Sequence, residues 1–109
     1  MARSKYHAKK VELDGMVFDS MKEAARWREL VLEQRAGAIK DLRRQVKYEL
    51  IPAHKGVVRS ERACTYIADF TYYRGGEFIV EDVKGVRTEV YKIKRKLMLD
   101  IYGVEIREV

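Results

Sequence analysis

Apolar and polar residues alternate along this chain with two different periods, and the changes of period mark its elements. Val11 to Phe18, VELDGMVF, sets short apolar runs on either side of Asp14-Gly15, a dipeptide that favours a two-residue hairpin turn. The next segment, SMKEAARWRELVLEQRAG, repeats Ala24, Trp27, Leu30 and Val31 at helical spacing. Ser20 can cap it and Gly37 stops it, which predicts a first helix over Met21 to Ala36. Val46, Tyr48 and Leu50 then alternate with polar residues and Pro52 follows, predicting a strand over Gln45 to Ile51. AHKGVVRSER is polar and glycine-bearing, and reads as a loop or at most a short strand pair. CTYIADFTYY, Cys64 to Tyr73, is rich in aromatic and β-branched residues, as strands are. Gly75-Gly76 turns it back into an antiparallel partner, Phe78 to Lys84. A second helix is expected from Glu89 to Tyr102, between Thr88 and Gly103, and VEIREV, Val104 to Val109, reads as a final strand.

The predicted order is β-hairpin, α, β, β, β, α, β. That is an α/β chain with a mixed central sheet, the last strand returning beside the central hairpin through a helical crossover. At 109 residues the chain is expected to form a single domain, 1–109, with residues 1–10 (MARSKYHAKK) as a flexible basic arm. The arm has no apolar segment of the kind a secretory signal carries. Charged residues make up 37% and hydrophobic residues 47%, a balance that excludes a disordered polymer. No apolar run approaches the roughly 18 residues that cross a bilayer, so no membrane partner is expected. Cys64 is the only cysteine, which excludes a disulfide framework and a cysteine-rich zinc site and suits a reducing cytoplasm. The formal net charge of +6 favours a polyanionic partner, nucleic acid above all.

Charge changes the picture most in Phe78 to Gly85, FIVEDVKG, where two acids and a lysine interrupt an apolar strand. Side chains in a strand alternate faces, so Asp82 and Lys84 project together while Glu81 points away. A turn centred on Gly75-Gly76 pairs residues whose numbers sum to 151, which sets Asp69 opposite Asp82. Two carboxylates that close repel each other unless a cation lies between them, and hard oxygen ligands suit Mg²⁺ or Mn²⁺. Lys84 beside such an ion could orient a water or stabilise a phosphate in the transition state. The plain alternative is a solvent-facing acid with a lysine as its salt-bridge partner. Glu23 likewise has two readings: the second half of a Ser20-x-x-Glu23 capping box, or a third acidic ligand presented by the first helix.

An acid on the first helix within FDSMKEA, then YIADF, then a hairpin to VEDVKG, then a basic helix and a strand, resembles the PD-(D/E)xK nuclease superfamily. More narrowly it is similar to a phage-encoded family of small proteins related to endonuclease I, the phage junction-resolving nuclease. The resemblance spans about Lys10 to Val109 and implies a restriction-endonuclease-like core. Glu23 matches the helix glutamate, Asp69 the aspartate, Asp82 the acid of (D/E)xK and Lys84 its lysine. Asp82 stands where the endonuclease I pattern has glutamate, and Ala68 stands where the superfamily's name has proline. What this implies is Mg²⁺-dependent hydrolysis of DNA phosphodiesters, with Glu23, Asp69 and Asp82 holding the metal and Lys84 assisting the attacking water. It further implies a branched substrate such as a Holliday junction, a homodimer for symmetric cutting, and a phage protein at work in the cytoplasm of a bacterial host. The rival expectation is a DNA-binding accessory protein of the same fold that does not cut.

Positive charge is densest after FIVEDVKG. Arg87, Lys92, Lys94, Arg95 and Lys96 follow it, with Ile93, Leu97 and Ile101 expected to pack and the cations to face phosphates. Lys9 and Lys10, with Arg3 and Lys5, would extend that surface along a duplex. His7 and His54 are the only histidines and have no partner in sequence. Arg59, Arg62 and His54 lie in a segment that could touch DNA. Gln45, Trp27, Tyr66, Tyr72 and Tyr73 read as ordinary sheet or core residues.

Overall fold

The structure, a computed structural model, describes residues 10–83 and 87–109. It opens with the hairpin that Asp14-Gly15 predicts: β1 (Val11–Leu13) and β2 (Met16–Phe18) pair antiparallel, with Asp14 and Gly15 both at positive φ. That combination gives the turn a twist matching its strands. Ser20 then accepts the Glu23 N–H at 3.1 Å and starts α1 (Met21–Arg35).

Two long strands follow, β3 (Lys40–Ile51) and, after a projecting hairpin of β4 (His54–Lys55) and β5 (Ser60–Glu61), β6 (Cys64–Arg74). Gly75 and Gly76, both at positive φ, turn β6 into β7 (Glu77–Asp82). Thr88 caps α2 (Glu89–Tyr102), left-handed Gly103 ends it, and β8 (Arg107–Glu108) closes the chain. The main sheet runs β3-β6-β7-β8, antiparallel except for the parallel β7–β8 pair that α2 connects. The architecture is therefore α/β, a mixed sheet between two helices preceded by a hairpin.

One core lies on the α1 side, where Phe70, Tyr72 and Ile79 meet Phe18, Ala24, Leu30 and Ile39. The other lies on the α2 side, where Tyr66, Ala68 and Val80 meet Leu50, Tyr91, Met98 and Ile106. Ile79 and Val80 serve opposite cores, as alternation requires of a strand covered on both faces. Ala68 and Phe70 also serve opposite cores, although residues two apart share a face in a regular strand. The crossover between faces therefore falls at Asp69. Opposite it, between the pairs Arg44↔Phe70 and Val46↔Ala68, sits Gln45 with φ 55. A left-handed residue without glycine's freedom, in mid-strand, marks the bend in both strands.

Three expectations need correction. β3 begins at Lys40 and not Gln45. Pairing with β6 continues past a register shift between Lys40 and Arg43, where Asp41 takes φ 54, and a bulged, charged run has no alternation to announce it. The final strand is only Arg107–Glu108, which pair with Glu81 and Asp82; beyond them the Val109 N–H donates to the Asp82 carbonyl at 3.0 Å. The second helix buries Tyr91 and Met98, leaving Ile93 57% and Ile101 45% exposed. Tyr91, Arg95 and Met98 share a helix face, and Glu108 on β8 accepts from the Tyr91 hydroxyl at 2.7 Å and Arg95 at 3.0 Å, which fixes the rotation.

Gln45→Val should destabilise the protein by about 1–2 kcal/mol although valine is the better strand former, because a β-branched residue resists left-handed backbone. Gln45→Gly should be neutral or stabilising. Urea denaturation of both variants checks this; a valine variant as stable as the parent would remove the bend from the account.

Candidate functional site

The carboxylates that the sequence singles out come together where both strands bend. Glu23 arrives from the first turn of α1, Asp69 from the crossover in β6, and Asp82 from the last residue of β7. The register Phe70↔Glu81 through Arg74↔Glu77 is the one a turn centred on Gly75-Gly76 demands, and it carries Asp69 up to Asp82. Each acid is held differently. Asp69 accepts the Val83 N–H at 2.7 Å. Asp82, 2% exposed, accepts from the Tyr66 hydroxyl at 2.5 Å. Glu23, 4% exposed, lies against Asp69, and its Oε2 is buried without a hydrogen-bond partner among the described residues.

The electrostatics follow from this crowding. Burial pushes the Asp69 carboxyl up to about 8, reinforced by the charges of Asp82 and Glu23 and opposed by the Val83 N–H. Burial, with Asp82 alongside, pushes the Tyr66 hydroxyl far up, so it remains a donor to Asp82. Arg44 stands beside Glu23, with Nη2 4.0 Å from Oε2. It is held there by the Val17 carbonyl at 2.9 Å and by stacking 4.4 Å over the Phe18 ring.

Glu23 thus performs half of the capping box: its N–H donates to Ser20, while its carboxylate turns to Asp69. Glu81 points to the α1 side of the sheet. Arg26 grips it with two bonds, Nε to Oε1 at 2.9 Å and Nη2 to Oε2 at 2.6 Å, and the Tyr72 hydroxyl donates to Oε2. Beside Glu81 the Arg26 guanidinium is driven further above its already high range. Arg26, Arg44 and Tyr66 are the site-shaping residues that sequence reasoning missed. The one available signal was that Arg26 follows Glu23 by three on a helix, and so shares its face.

The basic residues are less uniform than expected. Arg87 and Arg95 both bond Glu108, and Lys92 bonds Glu89 at 3.2 Å. Lys94 is half-buried and Lys96 exposed. Lys10 reaches Asp19 at 3.4 Å. Lys84 and Lys9, with His7, Arg3 and Lys5, lie outside the described residues. His54 is exposed on β4, away from the acids' strands.

Hard carboxylate oxygens, one of them buried and with no hydrogen bond among the described residues, form a donor set suited to a hard divalent cation. They are neighbours and not a finished cage: among the described residues no three His, Cys, Asp or Glu side chains stand at metal-ligand spacing.

Fold and site together define an α/β protein with a buried acidic centre at the end of its central strand. The chain belongs to the family described as "Protein of unknown function (DUF1064)", whose pattern matches residues 3–107. No curated protein and no solved structure matches it. No helix among the described residues is long and apolar enough to cross a membrane.

Arg26→Met should cost about 3 kcal/mol or more, because it strands the Glu81 charge in the core. Adding Glu81→Met should recover much of that loss, as calorimetry on both variants will show. Glu108 supplies a pH dependence. The Tyr91 hydroxyl, then Arg87 and Arg95, hold its carboxyl down from 4.5 to about 2. A depressed carboxyl stabilises the fold above its unfolded pKa, and that stability is lost as pH falls from 4.5 towards 2. Urea unfolding across that range should show a shallower fall for Glu108→Gln; identical slopes would refute the clamp.

Proposed function

We propose that the protein is a metal-dependent endodeoxyribonuclease of the PD-(D/E)xK type that acts on branched DNA. The observation that carries this reading is the convergence of Glu23, Asp69 and Asp82, from three separate elements, around a buried carboxylate oxygen that no hydrogen bond from the described residues satisfies. A fold does not gather mutually repelling acids for stability, since each raises the cost of ionising the next. Mg²⁺ or Mn²⁺, held by those three residues, would supply the charge that offsets the repulsion and the Lewis acidity that phosphodiester hydrolysis needs.

The chain's own residues divide the remaining work. The Val83 N–H and the Tyr66 hydroxyl hold Asp69 and Asp82 in place before anything binds, which limits reorganisation when the cation and phosphate arrive. Arg44 places a cation beside Glu23 and could meet a phosphate oxygen. Lys84, two residues beyond Asp82, takes the role the resemblance assigns it, assisting the attacking water. Arg87 just ahead of α2, and Lys92, Lys94, Arg95 and Lys96 along it, would supply positive charge for the DNA backbone. Cutting both strands of a junction symmetrically needs two such centres, so the working form is a homodimer. A phage origin and the cytoplasm of a bacterial host complete the reading. The unfinished geometry of the acids favours one rival, a DNA-binding accessory protein that does not cut.

A labelled four-way junction and a linear duplex of equal length, with Mg²⁺ or EDTA, separate the two. Mg²⁺-dependent cutting of the junction is expected, lost by about 10²-fold or more in Asp69→Asn and Asp82→Asn. Asp69→Asn in EDTA should be no less stable than the parent, since it removes a charge from a crowded acidic cluster. Sedimentation of the same samples should give a dimer. Salt-sensitive binding with no cutting under Mg²⁺ or Mn²⁺ would sink the enzyme reading.

A further inference from the structure

The chain leaves the main sheet between β3 and β6 to build the β4–β5 hairpin. Its strands pair only His54↔Glu61 and Lys55↔Ser60, in a two-stranded sheet of their own. Residues 51–62 are exposed except for half-buried Gly56. The tip is nevertheless a specified structure. The Gly56 N–H donates to the Arg59 carbonyl at 2.9 Å, and a Cβ on Gly56 would stand 2.5 Å from that oxygen. Only glycine closes this turn.

What the turn presents to solvent is apolar. Val57 is 105% exposed and Val58 84%, and neither belongs to either core. Leaving such side chains in water forgoes about 1.5–3 kcal/mol each relative to burial. Lys55, Arg59 and Arg62 flank them along the chain, with Glu61 the only acid between Pro52 and Arg62. A narrow ribbon with a branched apolar tip and a collar of cations has the chemistry of a DNA wedge. The cations meet phosphates, and the apolar side chains enter a base step from the minor groove and unstack it. A base step needs only one or two such side chains. A bilayer needs more apolar area for stable attachment, and a protein interface of about 1,000 Å² exceeds what this ribbon offers.

We propose that the β4–β5 hairpin is a DNA wedge, with Val57 and Val58 entering a base step while Lys55, Arg59 and Arg62 hold the adjacent phosphates. The inference rests on the DNA reading above and adds how the protein grips and distorts its substrate. It does not depend on cleavage.

A duplex carrying 2-aminopurine at successive steps, titrated in EDTA, tests it. The full-length protein should raise the fluorescence by unstacking. Val57→Ser with Val58→Ser should abolish that rise and weaken binding roughly tenfold, a loss of about 1.4 kcal/mol. Lys55→Gln, Arg59→Gln and Arg62→Gln together should flatten the salt dependence by about 0.9 in slope for each phosphate no longer neutralised. Unchanged circular dichroism and melting will show that both variants fold. The wedge falls if the serine variant unstacks and binds as the parent does, if the parent binds DNA without unstacking, or if it binds vesicles of phosphatidylcholine with phosphatidylserine in place of DNA. Junction cutting by the parent with an inert hairpin overturns the wedge alone. Unstacking without cutting under Mg²⁺ overturns the nuclease reading alone.

Discussion

The forked contact between Arg26 and Glu81 is the constraint on which the rest of the arrangement depends. It ties α1 to the sheet through two bonds in parallel, with the Tyr72 hydroxyl on the same carboxylate. Its position matters more than its energy. Arg26 lies one turn after Glu23, and Glu81 lies immediately before Asp82. Fixing this pair therefore fixes the rotation of α1 that brings Glu23 inward and the advance of β7 that brings Asp82 to the bend. Glu81 itself carries none of the proposed chemistry, but it aligns two of the acids that do. A buried pair adds little net stability over an apolar pair of the same volume, but it strongly disfavours every arrangement in which only one partner is buried. Such a contact selects geometry.

Asp69, which the aligned acids meet, is held against its own preference. Asp69 is pushed up to about 8 mainly because it is buried, then because Asp82 and Glu23 lie close. The Val83 N–H lowers the cost of ionising Asp69 without cancelling it. Among the described residues the basic group beside Glu23 Oε2 is Arg44, at 4.0 Å, which also bonds a carbonyl and stacks on an aromatic face. A fold selected for stability alone would close that gap. On the proposed reading, that gap is where a cation from solution would reach the acid oxygen.

Much of this was legible in the residues, and the part that was not has physical causes. The Gly75-Gly76 turn leaves one register, and that register alone brings Asp69 towards Asp82. Asp14-Gly15 and Thr88 with Gly103 mark their elements as clearly, because turn and cap geometry is local. Which face of α2 is buried was not local. The helix carries two apolar stripes, Tyr91 with Met98 and Val90 with Ile93 and Ile101, and periodicity cannot choose between them. Glu108, distant in sequence, makes the choice by holding Tyr91 and Arg95. Arg26, Tyr66 and Arg44 escaped notice for the same reason. Each acts across the fold, and a lone arginine or tyrosine announces no partner.

The bend at Gln45 and Asp69 joins these observations. A flat β3–β6 pair would turn Asp69 to one face of the sheet, among apolar side chains. The left-handed residue opposite lets both strands change sides there, so Asp69 emerges where neither core covers it fully. Backbone strain of roughly 1–2 kcal/mol in mid-strand is hard to explain by packing, since any regular residue pair would pack better. It is explained if the bend is what allows a carboxylate on β6 to meet one on β7 and one on α1. Strain in the backbone and repulsion among the acids then have one cause, a centre whose geometry stability did not choose.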